Sequence, residues 1–283
     1  MKPVYLTAAV RTPIGRFGGS LKDWTAADLG VAVAKEALRR AKVAPEQVED
    51  SIWGCARQAG GGPNVARQIT FRAGVPDCVP AFTVNQACGS GLRAIILAAE
   101  KIMLGRANVV LAGGTESMSR VPYFAEGARW GTRMGHVDLV DGMYRDGFND
   151  PLSGMVMGET AEELAKRYEI ARDEQDEYAL RSQQRAAAAI EADKFADEVV
   201  PLDIKSKVSL SHWERAGVRE RSLAHIFDET LGAGSAFNAE VFIAFPRSIQ
   251  PRDNPPLRFT GARWENEPSP RERATTRLRN RER

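Results

Sequence analysis

The sequence predicts an α/β layered fold with a largely parallel sheet. Three observations carry that prediction. Short apolar runs alternate with longer stretches of helical periodicity through residues 1–207. Glycines and prolines (Pro45, Gly74, Pro76, Gly105, Gly113 and Gly114) mark the changeovers. One helical stretch, residues 92–104, is apolar on almost every side, as a helix buried on every side would be.

The elements follow in order. Residues 4–6 read as a strand. Thr25 reads as a helix N-cap with Asp28 as its capping-box partner, and Leu29, Val33, Ala37, Leu38 and Ala41 recur at helical spacing. Residues 51–55 form a second strand candidate. Asn64 opens a second helix, which stops at Gly74. Residues 81–84 are a third strand, residues 92–104 the apolar helix, and residues 109–112 a fourth strand closed by two glycines. Residues 115–160 are rich in glycine and loop-like. A stretch of that length points to function or disorder. Residues 161–168 and 173–191 return to charged, amphipathic helix.

After Lys207 the character changes. Residues 208–283 contain no lysine, many arginines and scattered prolines, with one apolar patch at 241–245. This predicts a disordered or irregular tail. The arginine-only composition is what a translated frameshift or insertion in a GC-rich gene produces. A basic tail can bind nucleic acid, but acidic residues such as Glu265, Glu267 and Glu272 dilute it, and no nucleic-acid partner is expected.

Composition narrows the function classes. The chain is 43% apolar and 27% charged with a formal net charge of +2, an ordinary globular balance without a strong pull toward nucleic acid or anionic lipid. Its three cysteines, Cys55, Cys78 and Cys88, do not form a disulfide framework. That usage predicts a reducing, cytoplasmic setting. Cysteine and histidine spacing predicts no metal site. No secretory leader and no membrane span are read, so no membrane partner is expected.

Cys88 stands out on chemistry. The strand 81–84 runs through Asn85-Gln86-Ala87-Cys88-Gly89-Ser90-Gly91 straight into the apolar helix. A cysteine there faces the unpaired N–H groups and the positive end of a helix, which favour the thiolate. Gly89 and Gly91 allow a substrate acyl group to approach the backbone, and the Cys88 N–H can join an oxyanion hole. The plain alternative is a structural cysteine before a glycine-rich turn.

Beyond these residues the chain resembles the thiolase family. The blocks Ala8-Ala9-Val10-Arg11-Thr12-Pro13-Ile14-Gly15, Asn85 to Ala94, Ala112-Gly113-Gly114-Thr115-Glu116-Ser117-Met118-Ser119, Met157-Gly158-Glu159-Thr160-Ala161-Glu162 and Arg172-Asp173-Glu174-Gln175-Asp176 occur in family order. The resemblance implies two similar α/β halves with a loop domain inserted in the first. It divides this chain into an N-terminal α/β domain at 1–118, a partial loop domain that binds coenzyme A at 119–207, and a non-homologous tail at 208–283.

The resemblance also implies an activity: condensation of acyl-CoA, or thiolytic cleavage of 3-ketoacyl-CoA, through an acyl-cysteine on Cys88. Acyl-CoA and coenzyme A are then substrates, and no further cofactor is implied. Phe148 and Met157 match positions that line the acyl and pantetheine path, and Gly89 lies beside the reacting carbonyl. Val156 stands where many biosynthetic members carry histidine. Gly60-Gly61-Gly62-Pro63-Asn64 matches a loop at a dimer interface and His136 lies in a loop used for tetramers, so a homo-oligomer is implied. Cys55 and Cys78 read as packing residues.

The family's remaining blocks are absent. No Asn-Glu-Ala-Phe, Gly-His-Pro or Cys-x-Gly-Gly segment occurs. His212 and His225 stand in unrelated contexts. The resemblance therefore implies a truncated chain that is inactive by itself and poorly covered over its apolar helix. Two alternatives stand beside it: a non-catalytic fragment that pairs with intact thiolase subunits, and a 3-ketoacyl synthase-like enzyme.

Overall fold

A computed structural model describes residues 3–204 and the backbone of Glu240–Pro246 and Leu257–Arg258. The rest of the predicted tail lies outside the described residues. The chain begins with β1 (Val4–Arg11) and α1 (Ala26–Ala41), then β2 (Asp50–Gly54), α2 (Val65–Arg72), β3 (Ala81–Val84), α3 (Ser90–Met103) and β4 (Val110–Gly114). The loop region holds the short pair β5 (Tyr123–Phe124) and β6 (Val140–Asp141), then α4 (Met157–Arg167) and α5 (Arg172–Glu191). Two further strands are β7 (Glu240–Pro246) and β8 (Leu257–Arg258).

The predicted caps form. Thr25 Oγ1 accepts from the Asp28 N–H at 3.0 Å, and the Asp28 carboxylate accepts from the Thr25 N–H at 3.1 Å. Two orphan donors at the α1 N-terminus are thereby satisfied. Asn64 caps α2 by accepting from the Arg67 N–H at 3.1 Å. Its amide also donates to the Ala81 carbonyl, which ties that helix start to the start of β3.

The main sheet has the order β3-β2-β4-β7-β1-β8. β2 runs parallel to β3 and β4, while β7 runs antiparallel to both β4 and β1. The sheet is therefore mixed: among the described strands β7 near its centre and β8 at its edge are reversed. β7 comes from the apolar patch read at 241–245. Inside a tail expected to be irregular, those residues pair on both sides, with Ile243 opposite Thr7 and Leu111. The physical reason is local: this patch alone in the tail has the β-branched and aromatic character that suits a strand.

Two apolar clusters flank the sheet. β2 feeds both by strand alternation: Trp53 belongs to one and Ile52 to the other, and both are fully buried. Burying each contributes roughly 1.5–3 kcal/mol. The larger cluster joins α1 and α2 to the sheet through Val33, Ala37, Leu38, Val65 and Ile69. The smaller joins α3 through Ala94, Ala98 and Ile102 to Ile52, Val110 and Ala112.

The poor cover expected over the apolar helix is seen. α3 is buried on one face only. Ala94, Ala98 and Ile102 face the sheet, while Leu92 is 64% exposed and Leu104, just beyond the helix, 68%. Ile96 and Met103 are also exposed. The apolar composition of α3 thus provides for a second packing surface that these residues leave open.

Candidate active site

Cys88 lies on the turn between β3 and α3, one residue before Gly89, the N-cap of α3. The turn is tight. Gly89 N–H donates to the Gln86 carbonyl at 3.0 Å and Ser90 N–H to the Ala87 carbonyl at 3.1 Å. Ser90 Oγ donates to the same Ala87 carbonyl at 2.6 Å and accepts from the Gln86 N–H at 2.9 Å. Ala87 has φ +47, a left-handed conformation uncommon for a residue with a side chain. Such strain persists where the surroundings hold it, and it clusters at active sites.

The turn leaves the cysteine outward. Cys88 is a free, exposed cysteine, and its own N–H has no hydrogen-bond partner among the described residues. No imidazole or carboxylate bonds its thiol among those residues either. Gly89 is where the sequence placed it, beside Cys88, but its N–H is already engaged with Gln86. Close packing under the first turn of α3 demands glycine at 114 and 54, while a Cβ on Gly91 would meet Gly114 only at an ordinary 3.6 Å. A Cβ on Gly114 would fall 2.9 Å from the Gly91 Cα. A Cβ on Gly54 would fall 2.3 Å from the Ser90 carbonyl carbon. These glycines let the first turn of α3 sit directly on the ends of β2 and β4.

The segment after β4 braces the opposite side. Thr115 Oγ1 donates to the Ala26 carbonyl at 2.6 Å and Ser117 Oγ to the Trp24 carbonyl at 2.7 Å. Ser119 Oγ accepts from the Gly18 N–H at 2.9 Å. The motif read at 112–119 thus fixes the chain entering α1.

Glu116, in the same segment, was not singled out from sequence. It is buried, with 8% of its surface exposed. Its carboxylate accepts from the Ala56 N–H at 2.9 Å and the Arg57 N–H at 3.0 Å, and Cys55 Sγ lies 3.5 Å from it. Burial raises the Glu116 carboxyl, while the two N–H groups oppose the rise. Burial and the adjoining Glu116 also push the Cys55 thiol up, so it stays protonated as a donor. Cys55 is therefore more than packing. Cys78, by contrast, is exposed. Glu116 stands two residues past β4, and no local pattern marks it as buried, although a buried charge needs dedicated partners.

Phe148 and Met157 are brought near each other. An antiparallel bridge joins Asn149 to Val156, and the Asp150 N–H donates to the Met155 carbonyl at 2.9 Å. Phe148 ends a π-helical turn at Tyr144–Phe148, stacks edge-on with Tyr144 at 5.5 Å, and is half-buried. Met157 is exposed at the start of α4. Among the described residues no hydrogen bond joins either residue to Cys88. The link is Arg57, whose Nη2 donates to the Gly147 carbonyl at 3.2 Å. His136 is exposed in its loop, away from these partners. Among the described residues no group of His, Cys, Asp and Glu is placed to hold a metal ion, and no helix is long and apolar enough to cross a membrane.

The structure thus sets a free, exposed cysteine on a strained turn between a strand and a helix of a layered α/β sheet. The family described as "Thiolase, N-terminal domain" matches residues 4–239, and the chain belongs to the thiolase family. That match continues beyond residue 207, where the recognisable motifs end.

The chain is 50% identical over 208 residues to an acetyl-CoA acetyltransferase of Syntrophomonas wolfei, covering 73% of this chain and 52% of the relative. It is 49% identical over 207 residues to an acetyl-CoA acetyltransferase of Cupriavidus necator, covering 73% of this chain and 53% of that protein. The crystal structure of the Bacillus anthracis acetyl-CoA acetyltransferase superposes with a TM-score of 0.74 at 38% identity, covering 88% of this chain and 66% of that one. The chain spans about half the length of the curated relatives it matches. The family match decides between thiolase and 3-ketoacyl synthase in favour of thiolase.

Proposed function

We propose that Cys88 is the nucleophile of a thiolase-type acyltransferase acting on coenzyme A thioesters. The observation that carries this reading is the exposed Cys88 thiol beside its own N–H, which has no partner among the described residues, at the mouth of α3. In the first half-reaction the Cys88 sulfur attacks the thioester carbonyl. A carbon–sulfur bond forms to Cys88, the bond to coenzyme A breaks, and the proton lost by Cys88 leaves on the coenzyme A thiol. The Cys88 N–H stabilises the oxyanion that forms in between. Phe148, Met157 and Gly89 line the path of the acyl group and pantetheine arm.

The second half-reaction needs a group that removes a proton from the α-carbon of another acyl-CoA. No family block that supplies one is present in this sequence. The reading for this chain is therefore confined to the first half-reaction, acyl transfer onto Cys88. Free thiols at Cys55, Cys78 and Cys88 suit a reducing cytoplasm.

The test is incubation with acetyl-CoA followed by intact-mass and peptide analysis. An acetyl adduct on Cys88, absent from Cys88→Ala, supports the reading. An unmodified Cys88 after prolonged incubation, with the fold intact by circular dichroism, rejects it.

A second reading has its own observation. The exposed stripe Leu92, Ile96 and Met103 on α3 suits a fragment that pairs with intact thiolase subunits. Co-purification with a full-length relative supports that reading, and clean separation opposes it. The homo-oligomer implied by the family motifs belongs with it as a proposal.

A further inference from the structure

The loop 55–57 touches both parts of the candidate site, and one buried side chain holds it. On one side, Asn85 Nδ2 donates to the Ala56 carbonyl at 3.2 Å. The Asn85 side-chain Oδ1 in turn accepts from the Ala87 N–H at 3.0 Å, clamping the left-handed residue that precedes Cys88. On the other side, Arg57 Nη2 holds the Gly147 carbonyl next to Phe148, and a Cβ at Gly147 would fall 2.8 Å from Arg57 Nε. Between them, Glu116 accepts the N–H groups of Ala56 and Arg57 and takes the Cys55 thiol as a third neighbour.

We infer that Glu116 is a positioning residue that, through the loop 55–57 and Asn85, sets the nucleophile turn at Cys88 and the Phe148 segment in register with each other. It touches neither Cys88 nor any acyl group. A buried carboxylate that, among the described residues, serves two backbone N–H groups and a thiol is a costly way to stabilise a loop. A fixed loop shared by two parts of one site explains why the cost is met, because a small misplacement of reacting groups lowers rates steeply. The inference rests on the reading of Cys88 as nucleophile.

Burial supports the same picture. Glu116 sits below the surface while Asn85 is exposed, so the relay runs from the interior outward to the turn.

The chain carries its own controls. Cys78 is an exposed thiol outside the site, and Cys55 is a buried one. Iodoacetamide labelling, read by peptide mass, gives the Cys88 to Cys78 rate ratio, and protection of Cys55 reports an intact interior. Glu116→Gln keeps the shape but turns one acceptor into a donor facing an N–H. It should lower the ratio by about threefold, the size of one lost helix-terminus alignment, with Cys55 still protected. Asn85→Ser should lower it similarly. The double variant should be no slower than the slower single, because both act through one loop.

An unchanged ratio in Glu116→Gln, or additive effects in the double variant, overturns the inference. If Glu116→Gln exposes Cys55, Asn85→Ser alone decides, since it leaves the interior bonds in place; an unchanged ratio there also overturns it. Acetyl-CoA separates this from the functional reading. A wild-type Cys88 that takes no acetyl group sinks the acyltransferase reading while the labelling ratio still judges Glu116. Equal acetylation rates in wild type and Glu116→Gln sink the positioning role and leave the nucleophile standing.

Discussion

Gly54 at the end of β2 lies against the main chain of Ser90, so close that a Cβ on residue 54 would fall 2.3 Å from the Ser90 carbonyl carbon. The contact seats the first turn of α3, and with it the Cys88 turn, on the sheet. Gly54→Ala must push that turn outward. Overpacking of this kind costs about 1–3 kcal/mol. A lowered urea midpoint and slower iodoacetamide labelling of Cys88 relative to Cys78 are the expected results. A variant with wild-type stability and labelling would mean that the turn is not seated there.

β7 should be indispensable to the sheet. Its backbone pairs with β4 on one side and β1 on the other. Ile243→Pro removes a ladder N–H and places a ring in a doubly paired strand, where proline is not accommodated. Loss of cooperative unfolding is expected, together with fast hydrogen exchange at Leu111 and Tyr5. Persistence of slow exchange at both sites would mean that residues 240–246 do not complete the sheet.

The open face of α3 should govern how the chain behaves in concentrated solution. Leu92 and Ile96 expose apolar surface and contribute little to the sheet-facing cluster. Leu92→Gln combined with Ile96→Lys should reduce association seen by light scattering. Stability should change by no more than about 0.5 kcal/mol, as for surface positions generally. Unaltered scattering would place the sticky surface elsewhere.

Two carboxyls should pull the stability profile in opposite directions with pH. Burial raises the Glu116 carboxyl above its ordinary 4.5. The folded chain thus holds that proton more tightly than the unfolded chain does. The associated stability is fully present below 4.5 and is lost as pH rises through the folded-state value. Glu36 behaves the other way: a hydrogen bond from Arg39 outweighs burial and, with Arg40, holds it down to about 2. Its contribution is present above 4.5 and is lost as pH falls toward that value. Unfolding free energies measured across the acid-to-neutral range should show Glu116→Gln flattening the decline above 4.5 and Glu36→Gln flattening the acid limb. The Glu36 effect should be small, because Arg39 is largely solvent-exposed.

The sequence was most legible where one short-range rule sufficed. Thr25 with Asp28 capped α1, Asn64 capped α2, and residues 81–84 formed β3 as expected. Cys88 was visible because a cysteine between a strand and an apolar helix is a local pattern. Glu116 was not visible, since its partners Ala56 and Arg57 lie in a different turn that only the fold brings beside it. The packing demand for glycine at 114 was hidden for the same reason, because Gly91 approaches it from another element. The reach of β7 also escaped the local reading. The patch at 241–245 was noticed, but its pairing with Thr7 and Leu111 is a long-range property that no periodicity records.

The pairing of Val4 with Pro246 sets the order in which a nascent chain can finish itself. While the ribosome is still making the loop region, β1 and β4 already exist but have no strand between them. Contacts this distant along the chain close slowly, and until they do, open strand borders invite the wrong neighbour. Translation speed past residue 207 and the presence of a holdase are therefore expected to decide how much of the newly made chain escapes inclusion bodies.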